Sequence, residues 1–396
     1  MRLLHTADWH VGKSMRGLSR ADEHRAVLGE IVDLTEEHTV DVVVIAGDIF
    51  ESSAPSPEAE AIVYGTLLDL SQRGVAVVAV AGNHDNARRL DAISPVFAIT
   101  GAHIAALPRP PTEGGVLRID AGTSSAAFAL LPFVSQRGIV RADHLMSDAA
   151  FEHVQSYADR MSNLIRVLVE SCPADIPTVV VHHGFVTGGT VGGGERLAHL
   201  MNAYHVPALA FAPSIAYVAL GHLHRAQKIP GAAPIYYPGS PLMLDFGDTD
   251  DEKSVTLVDI PDAGPAKVRQ IALASGRPLR TVRGTIDQIL STTVEGDPWL
   301  RFIVEGARSA DLAKDVRAHF GERAVEVRVE TQYREDQLSR TDRARNPHEL
   351  FAEYAETQGL ADPLVEELFS ELYDLAATAG DPASEADRYA PSEIRP

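Results

Sequence analysis

Short runs of β-branched and aliphatic side chains alternate with longer stretches of helical periodicity over roughly the first 260 residues. Helical stretches at about Ala21–His38 and Pro57–Arg73 separate the first three runs, and a third helix is expected at about Asp143–Val169, after a weaker β region near 102–134. The apolar runs predict buried strands at Arg2–His5, Val40–Ala46, Val75–Ala81, Thr178–His182 and Ala216–Leu220. This βαβα order predicts an α/β sheet whose site lies at the strand ends.

The remainder of the chain has a different pattern. Closing strands are expected within Ser254–Ala274, and a shorter βαββαβ-like pattern then runs to about Glu330, with strands at Leu279–Val282, Trp299–Val304 and Ala324–Val329. Two helix starts follow, each a polar cap before proline, at Asn346-Pro347 and Asp362-Pro363. The residues after about Thr378 have the composition of a disordered tail.

The second of these helices is amphipathic. Leu364, Leu368 and Leu372 fall on one face, and Glu367 and Asp374 lie opposite. Such a helix either packs on its own domain or docks a partner, and the sequence leaves both interpretations open.

Charge and composition exclude several classes of protein. The 35 Lys and Arg against 55 Asp and Glu give a net charge of −20, which repels a polyanion, so we expect any DNA contact to be local or assisted by a partner. No apolar run approaches the ~18 residues of a membrane span. The single cysteine, Cys172, cannot close an intrachain disulfide, and no signal-peptide core precedes Asp8. We therefore expect a cytoplasmic protein.

Metal-binding residue types follow the predicted strands at their carboxyl ends. The segments are Asp8-Trp9-His10, Gly47-Asp48, Gly82-Asn83-His84-Asp85, His182-His183-Gly184 and Gly221-His222-Leu223-His224. Strand ends gather along one edge of an open sheet, so we expect these side chains to converge. Their mixture of carboxylate, amide and imidazole suits Mn²⁺, Fe²⁺ or Zn²⁺, and Asp48 is the best candidate to bridge two ions about 3.5–4 Å apart.

Each segment taken alone has an ordinary structural explanation. Asp48 could cap a helix, Asn83 and Asp85 could cap a turn, and Trp9 is expected to pack beneath the site. Gly12-Lys-Ser14 has the end of a phosphate-binding loop but lacks its first glycine, which argues against nucleoside triphosphate binding. The order of all five segments, each after a strand, favours the metal site.

In combination these motifs resemble the calcineurin-like metallophosphoesterases. Within that superfamily the resemblance is closest to the nuclease subunits of bacterial SbcCD complexes, and it covers about residues 1–330. The segments that carry it are Leu4–Gly12, Gly47–Phe50, His183–Gly189, Gly221–His224, Tyr237–Pro241 and Phe246-Gly247, and Arg277–Thr285 resembles the start of that family's capping domain.

The resemblance implies an architecture and a ligand set. The fold would be a four-layer αββα sandwich with a smaller α+β capping domain and C-terminal helices. Its parts would be a nuclease domain at 1–275, a DNA-facing capping domain at 276–335, partner-docking helices at 340–376 and a disordered tail at 377–396. One ion would be held by Asp8, His10, Asp48 and His224, and the other by Asp48, Asn83, His183 and His222.

The same resemblance implies the chemistry. His84 would be the catalytic histidine, with Asp85 orienting it, and Mn²⁺ the expected metal, with Mg²⁺ as the alternative. The implied activity is a 3′→5′ double-strand exonuclease and single-strand or hairpin endonuclease, working as a homodimer with an SbcC-like ATPase. Other interpretations are a stand-alone phosphodiesterase of small phosphate esters and a non-catalytic scaffold.

Two local features depart from that family's pattern. His182 and His183 are adjacent and only one can be the ligand; alignment on the following Phe-Val-Thr-Gly-Gly favours His183. A polar stretch of the family is reduced to Gly192-Gly-Gly-Glu-Arg196, which is as consistent with a flexible linker as with a DNA-facing loop.

Overall fold

The computed structural model describes residues 1–135, 138–139, 142, 156–192, 205–248, 252–262, 264–306, 311–330, 347–357 and 362–378. Its helices are α1 (Ala21–Glu37), α2 (Pro57–Gln72), α3 (Ala87–Ala98), α4 (Tyr157–Glu170), α5 (Ile286–Ser291), α6 (Leu312–Phe320), α7 (Pro347–Thr357) and α8 (Pro363–Thr378). None of the helices in this described part is long and apolar enough to cross a membrane.

The strands form three sheets and two short ladders. In chain order they are β1 (Arg2–Thr6), β2 (Ser14–Met15), β3 (Leu18–Ser19), β4 (Val42–Ala46), β5 (Ala76–Val80), β6 (Ala102–Ala105), β7 (Val116–Ala121), β8 (Ser124–Leu131), β9 (Thr178–His183), β10 (Phe185–Val186), β11 (His205–Val206), β12 (Tyr217–Gly221), β13 (Gln227–Ile229), β14 (Ile235–Tyr237), β15 (Ser254–Asp259), β16 (Lys267–Ala272), β17 (Leu279–Gly284), β18 (Trp299–Glu305) and β19 (Ala324–Glu330).

The first sheet has the order β16-β15-β1-β4-β5-β6. Strands β1, β4, β5 and β6 are parallel, and β15 and β16 extend the sheet as antiparallel strands. Every residue of Val42–Ala46 is buried, as expected for a central strand covered on both faces. The carboxyl ends of β1, β4 and β5 therefore lie side by side.

The second sheet has the order β13-β14-β12-β9-β8-β7. Its centre is parallel, because β12 pairs in parallel with β14 and β9, and β9 pairs in parallel with β8. Gly221 lies opposite His183 in the β12–β9 register. Two polar strand ends are thus neighbours in this sheet as well.

The two sheets pack face to face between helices. Alternating strand residues divide between two cores, so that Leu3 lies between the sheets and Leu4 packs beneath α1 and α2. The core between the sheets includes Leu3, Val42, Val44, Val78, Val80, Phe128, Leu130, Val179, Val181 and Ala219. Met161, Leu164 and Leu168 of α4 cover the outer face of the second sheet. The architecture is the predicted four-layer αββα sandwich.

The third sheet forms a smaller unit with its own core. Strands β17, β18 and β19 are all parallel, and the crossovers α5 and α6 pack on one face through Ile289 and Val316. The described residues give this unit a βαβαβ order, so the predicted βαββαβ-like pattern is wrong there by one strand. The N-terminal cap of α5 is a full capping box between Thr285 and Gln288.

A polar contact joins the third sheet to the sandwich. Trp299 Nε1 donates to Glu23 Oε1 at 2.8 Å, and the Arg277 guanidinium lies 3.6 Å from the centre of the Trp299 ring. Arg20, fully buried, pairs with the same Glu23 carboxylate at 2.8 Å. These contacts fix the smaller unit against the start of α1.

The helices α7 and α8 pack against each other. Their rings of Phe351 and Phe369 stack at 3.9 Å with an interplanar angle of 4°. Leu364, Leu368 and Leu372 of α8 remain exposed by 72%, 54% and 56%. The apolar face seen in the sequence is therefore turned outward over the described residues. The predicted tail at 377–396 lies outside the described residues beyond Thr378.

Most predicted elements match the observed ones within two residues. The helix expected at Asp143–Val169 begins, in the described residues, at Tyr157, and its predicted first part lies outside them. Helix α3 was not predicted, because it is short and carries Pro95 in its interior. It begins at an Asn86 cap directly after the Gly82–Asp85 segment.

Candidate metal centre

The five polar segments meet at the edge where the carboxyl ends of both sheets come together. Four of the predicted ligands have a left-handed backbone, with φ of 53° at Asp8, 48° at His10, 48° at Asp48 and 112° at His222. Residues other than glycine rarely adopt positive φ, and such strain concentrates at functional sites. The chain leaves its strands sharply here, which turns the side chains inward.

Glycines allow the loops to approach one another at this edge. A Cβ on Gly47 would lie 2.6 Å from Cγ of His183, and one on Gly82 would lie 2.7 Å from Cγ of Asp48. Real Cβ atoms essentially never come closer than 3.0 Å to another heavy atom. A side chain at either glycine would therefore displace a predicted ligand.

The first cluster contains Asp8, His10 and His224. One ligand atom from each lies within 4.8 Å of the others, and all three side chains are buried. The rings of His10 and His224 are 5.0 Å apart. Nε2 of His10 is buried and makes no hydrogen bond, so a donor atom is directed into the cluster without a protein partner.

The second cluster contains Asp48, His183 and His222, again with ligand atoms within 4.8 Å of one another. Asn83 Oδ1 joins it, 2.9 Å from His183 Nε2 and 2.9 Å from His222 Nδ1. Asp48 Oδ2 lies 3.5 Å from His183 Nε2 and 3.6 Å from His10 Nε2. The Asp48 carboxylate therefore stands between the two clusters.

The electrostatics of the clusters are those of a site for cations. Burial, reinforced by the negative charge of Asp48, raises the pKa of Asp8 to about 7. Burial lowers the pKa of His183, but the adjacent Asp48 carboxylate more than offsets this and raises the pKa to about 9. Protons thus stand where divalent cations would replace them, since metal binding releases protons from carboxylate and imidazole ligands. The residues present fit two divalent cations.

His84 borders the clusters without joining the same ligand sets as Asn83. Its ring lies 4.6 Å from the His10 ring, and Nδ1 donates to the Glu51 carbonyl at 2.8 Å. Its backbone N–H donates to Asp48 Oδ1 at 2.8 Å. The His84 ring and the Asp48 carboxylate are thereby held in a fixed relation.

Asp85 binds backbone rather than solvent. Its carboxylate accepts from the N–H of Phe50 at 2.9 Å, of Gly82 at 2.8 Å and of Ile49 at 3.2 Å. These bonds tie the loop after β4 to the loop after β5. The ring of His84 is oriented by Glu51, so the expectation that Asp85 orients it stays a prediction.

The adjacent histidines lie on opposite sides of β9. His183 points into the second cluster, and His182 Nδ1 bonds the Leu131 carbonyl at 2.8 Å. Burial lowers the pKa of His182 to about 4, so this ring is neutral. The structure thus brings His183, and not His182, together with the other predicted ligands.

Glu51 is a residue of the site that the sequence analysis missed. Its carboxylate accepts from His10 Nδ1 at 2.7 Å and pairs with Lys13 Nζ at 2.9 Å. A carboxylate on the far ring nitrogen fixes the tautomer and direction of a metal-binding histidine. Its position three residues after Asp48 was the available signal. Trp9, as predicted, is buried beneath the site.

Comparisons with known proteins agree with this geometry. Residues 1–226 match the family model described as calcineurin-like phosphoesterase, and residues 275–359 match one described as type 5 capsule protein repressor C-terminal domain. The chain is similar to the SbcD component of the SbcCD nuclease from Bacillus subtilis, 35% identical over 70% of this chain and 71% of that one.

Two further SbcD proteins are similar to the chain. The one from Escherichia coli K12 is 28% identical over 93% of this chain and 92% of its own length. The one from Rhodobacter capsulatus is 34% identical over 70% of this chain and 71% of its own. The chain therefore belongs to the calcineurin-like phosphoesterase family, among the SbcD nuclease subunits.

Proposed function

We propose that the protein is a metal-dependent DNA nuclease that hydrolyses phosphodiester bonds at DNA ends and hairpins with an SbcC-like ATPase. The observation that carries this proposal is the pair of buried clusters that share Asp48, at the joined strand ends of the two sheets. The names of the similar proteins support a nuclease that works within a complex.

The ligand assignment follows the two clusters. Asp8, His10, Asp48 and His224 would hold one ion, and Asp48, Asn83, His183 and His222 the other. We propose Mn²⁺ as the metal, because imidazole and carboxylate together suit it better than Mg²⁺, which prefers oxygen ligands. When bound, two such ions activate a water and neutralise charge on the phosphoryl oxygens.

The protein's own groups position and transfer protons. Because His84 Nδ1 donates to the Glu51 carbonyl, proton exchange takes place at Nε2. From that atom His84 protonates the leaving oxygen as the phosphodiester bond breaks. Glu51 holds His10 by its side chain and His84 by its carbonyl, so one residue sets both groups relative to the scissile bond.

The domain roles follow the same proposal. We assign nuclease activity to 1–275, a DNA-facing capping role to 276–335 and partner docking to 340–376. The net charge of −20 supports dependence on a partner for DNA affinity, since an acidic surface repels DNA. We further place the protein in the cytoplasm, consistent with its single, unpaired Cys172.

We also propose homodimer formation through α2 and α3. Large apolar side chains are exposed on both helices, with Leu68 on α2 and Val96 on α3, and Ile99 follows α3 with 87% of its surface exposed. Side chains of this kind, grouped on neighbouring elements, mark protein interfaces. Sedimentation of the purified chain would give a dimer, and Val96→Asp would give a monomer. A monomeric wild type would contradict this proposal.

Equilibrium dialysis tests the metal centre. We expect two Mn²⁺ per chain for the wild type and one or none for Asp48→Asn, because that carboxylate serves both clusters. Asp69→Asn, on the exposed end of α2, is the matched control and should bind two. A wild-type chain that binds no Mn²⁺ would contradict the assignment.

Co-purification tests the docking helices. We expect Leu364→Ser with Leu368→Ser and Leu372→Ser to abolish retention of the ATPase, because burying such side chains contributes roughly 1.5–3 kcal/mol each. The control triple exchange at Glu366, Glu367 and Glu371 to Gln should leave retention intact. Unchanged retention by the leucine variant would refute the docking assignment.

A further inference from the structure

A buried ammonium group lies behind the first cluster, on the side away from the substrate. Lys253 Nζ donates to the carbonyl of His224 at 3.1 Å and to Ser240 Oγ at 3.1 Å. It also pairs with Asp248 Oδ2 at 3.6 Å. Lysine is almost never fully buried unless it is paired, so this arrangement needs a reason.

The Lys253 contacts converge on the backbone of a predicted ligand. The His224 carbonyl accepts from Lys253 Nζ and also from the Ser240 N–H at 3.1 Å. Gly239, with φ of 77°, brings its backbone against the same carbonyl, where a Cβ would lie only 2.8 Å from the oxygen. The segment from Gly239 to Asp248 is therefore wrapped on the main chain of His224.

Asp248 and Lys253 close this wrap. Asp248 Oδ2 accepts from the Leu244 N–H at 2.9 Å, which fixes the end of the segment, and its charge is matched by Lys253. The Lys253 carbonyl accepts from the Leu273 N–H at 2.8 Å, so its backbone is anchored to the strand pair β15–β16. The ammonium thus connects a rigid sheet to the loop that carries His224.

We infer that Lys253, with Asp248, is a positioning residue that sets the direction of His224 toward the first metal ion. The ammonium touches neither metal nor DNA in this arrangement and acts through the His224 backbone. The inference rests on the proposed metal centre. It assigns to a residue 29 positions beyond the last ligand motif a part in metal affinity.

The test compares variants by direct Mn²⁺ titration and by hydrolysis. Lys253→Met alone leaves the Asp248 carboxylate buried without its partner charge, which destabilises folding. The double variant Lys253→Met with Asp248→Asn removes both charges and keeps an acceptor for the Leu244 N–H. Lys267→Met, exposed on β16, is the control.

In the double variant we expect a folded protein in which one of two Mn²⁺ sites is weakened about tenfold, as for loss of a group supporting a metal ligand. The Mn²⁺ concentration for half-maximal hydrolysis should rise equally, and excess Mn²⁺ should restore the wild-type kcat. A folded double variant with unchanged Mn²⁺ affinity, or a rate loss that excess metal does not restore, would overturn the inference. A wild type that binds no Mn²⁺ would instead refute the metal centre itself.

Discussion

Gly221→Ala is the smallest change that should separate the two halves of the metal centre. Gly221 ends β12 of the second sheet, immediately before His222, and it contacts the end of β4 in the first sheet. An added Cβ would overlap the Ala46 carbonyl group, lying 2.8 Å from its carbon, and would lie 2.9 Å from Cβ of Ala7. Both neighbours belong to segments that lead directly to predicted ligands.

The size of the effect follows from these distances. Ordinary contact begins at 3.4 Å, so the Ala7 contact alone requires a separation of about 0.5 Å, and the carbonyl overlap requires more. Ala46 is backbone within a central strand and cannot rotate away. Overpacking of this kind costs about 1–3 kcal/mol of folding free energy. A misplacement near 1 Å reduces catalysis about 10²-fold.

Urea unfolding and Mn²⁺-dependent phosphodiester hydrolysis would measure the two effects. The control is Gly29→Ala, in the interior of α1, where an added Cβ meets nothing within 4 Å. That change should raise the free energy of unfolding by about 0.5–1 kcal/mol, because alanine loses less conformational freedom than glycine. Its hydrolysis rate should stay at the wild-type level.

The two outcomes are distinct. We expect Gly221→Ala to be less stable and at least tenfold slower in hydrolysis than the wild type at saturating Mn²⁺. A variant with wild-type stability and rate would show that close contact of the sheets at this point is not required, and the reasoning from Gly221 would be refuted.

Two further predictions concern Glu51 and His5. Glu51→Gln should raise the Mn²⁺ concentration for half-maximal hydrolysis about 10–100-fold, because His10 loses its carboxylate partner, while Glu37→Gln at the exposed end of α1 should not; equal Mn²⁺ dependence of both would refute the role of Glu51. Burial lowers the pKa of His5 from 6.5 to about 3, so the unfolded chain takes up the proton first and this contribution to stability is lost as pH falls below 6.5. The urea unfolding free energy of His5→Gln should therefore fall less steeply between pH 6 and 4, by up to about 1.4 kcal/mol per pH unit, and a slope equal to that of the wild type would contradict this.

The strands and the order of polar segments were readable from the sequence because both depend on local pattern. Val42–Ala46 is apolar throughout, as a strand buried on both faces must be, and Asp48 follows it at once. Parallel strand ends share an edge, so the convergence of Asp8, Asn83 and His222 follows from topology alone.

Other features depend on contacts that no local pattern contains. The two adjacent histidines are distinguished by which face of β9 each occupies, and Glu51 acts through a ring 41 positions away. The extra strand expected in the third sheet came from polar alternation that the chain uses for the short helix α5 instead. Lys253 carries no motif at all, since its role exists only once β15 packs beside the His224 loop.

Cleavage of an end-labelled DNA hairpin by the purified protein with Mn²⁺ tests the central claim most directly. The account predicts metal-dependent cutting by the wild type, cutting reduced at least 10²-fold in His84→Gln, and stimulation by the SbcC-like ATPase. Retained Mn²⁺ binding by His84→Gln would show that the loss is catalytic. Absence of cutting in every condition, with small phosphodiesters still hydrolysed, would contradict the account.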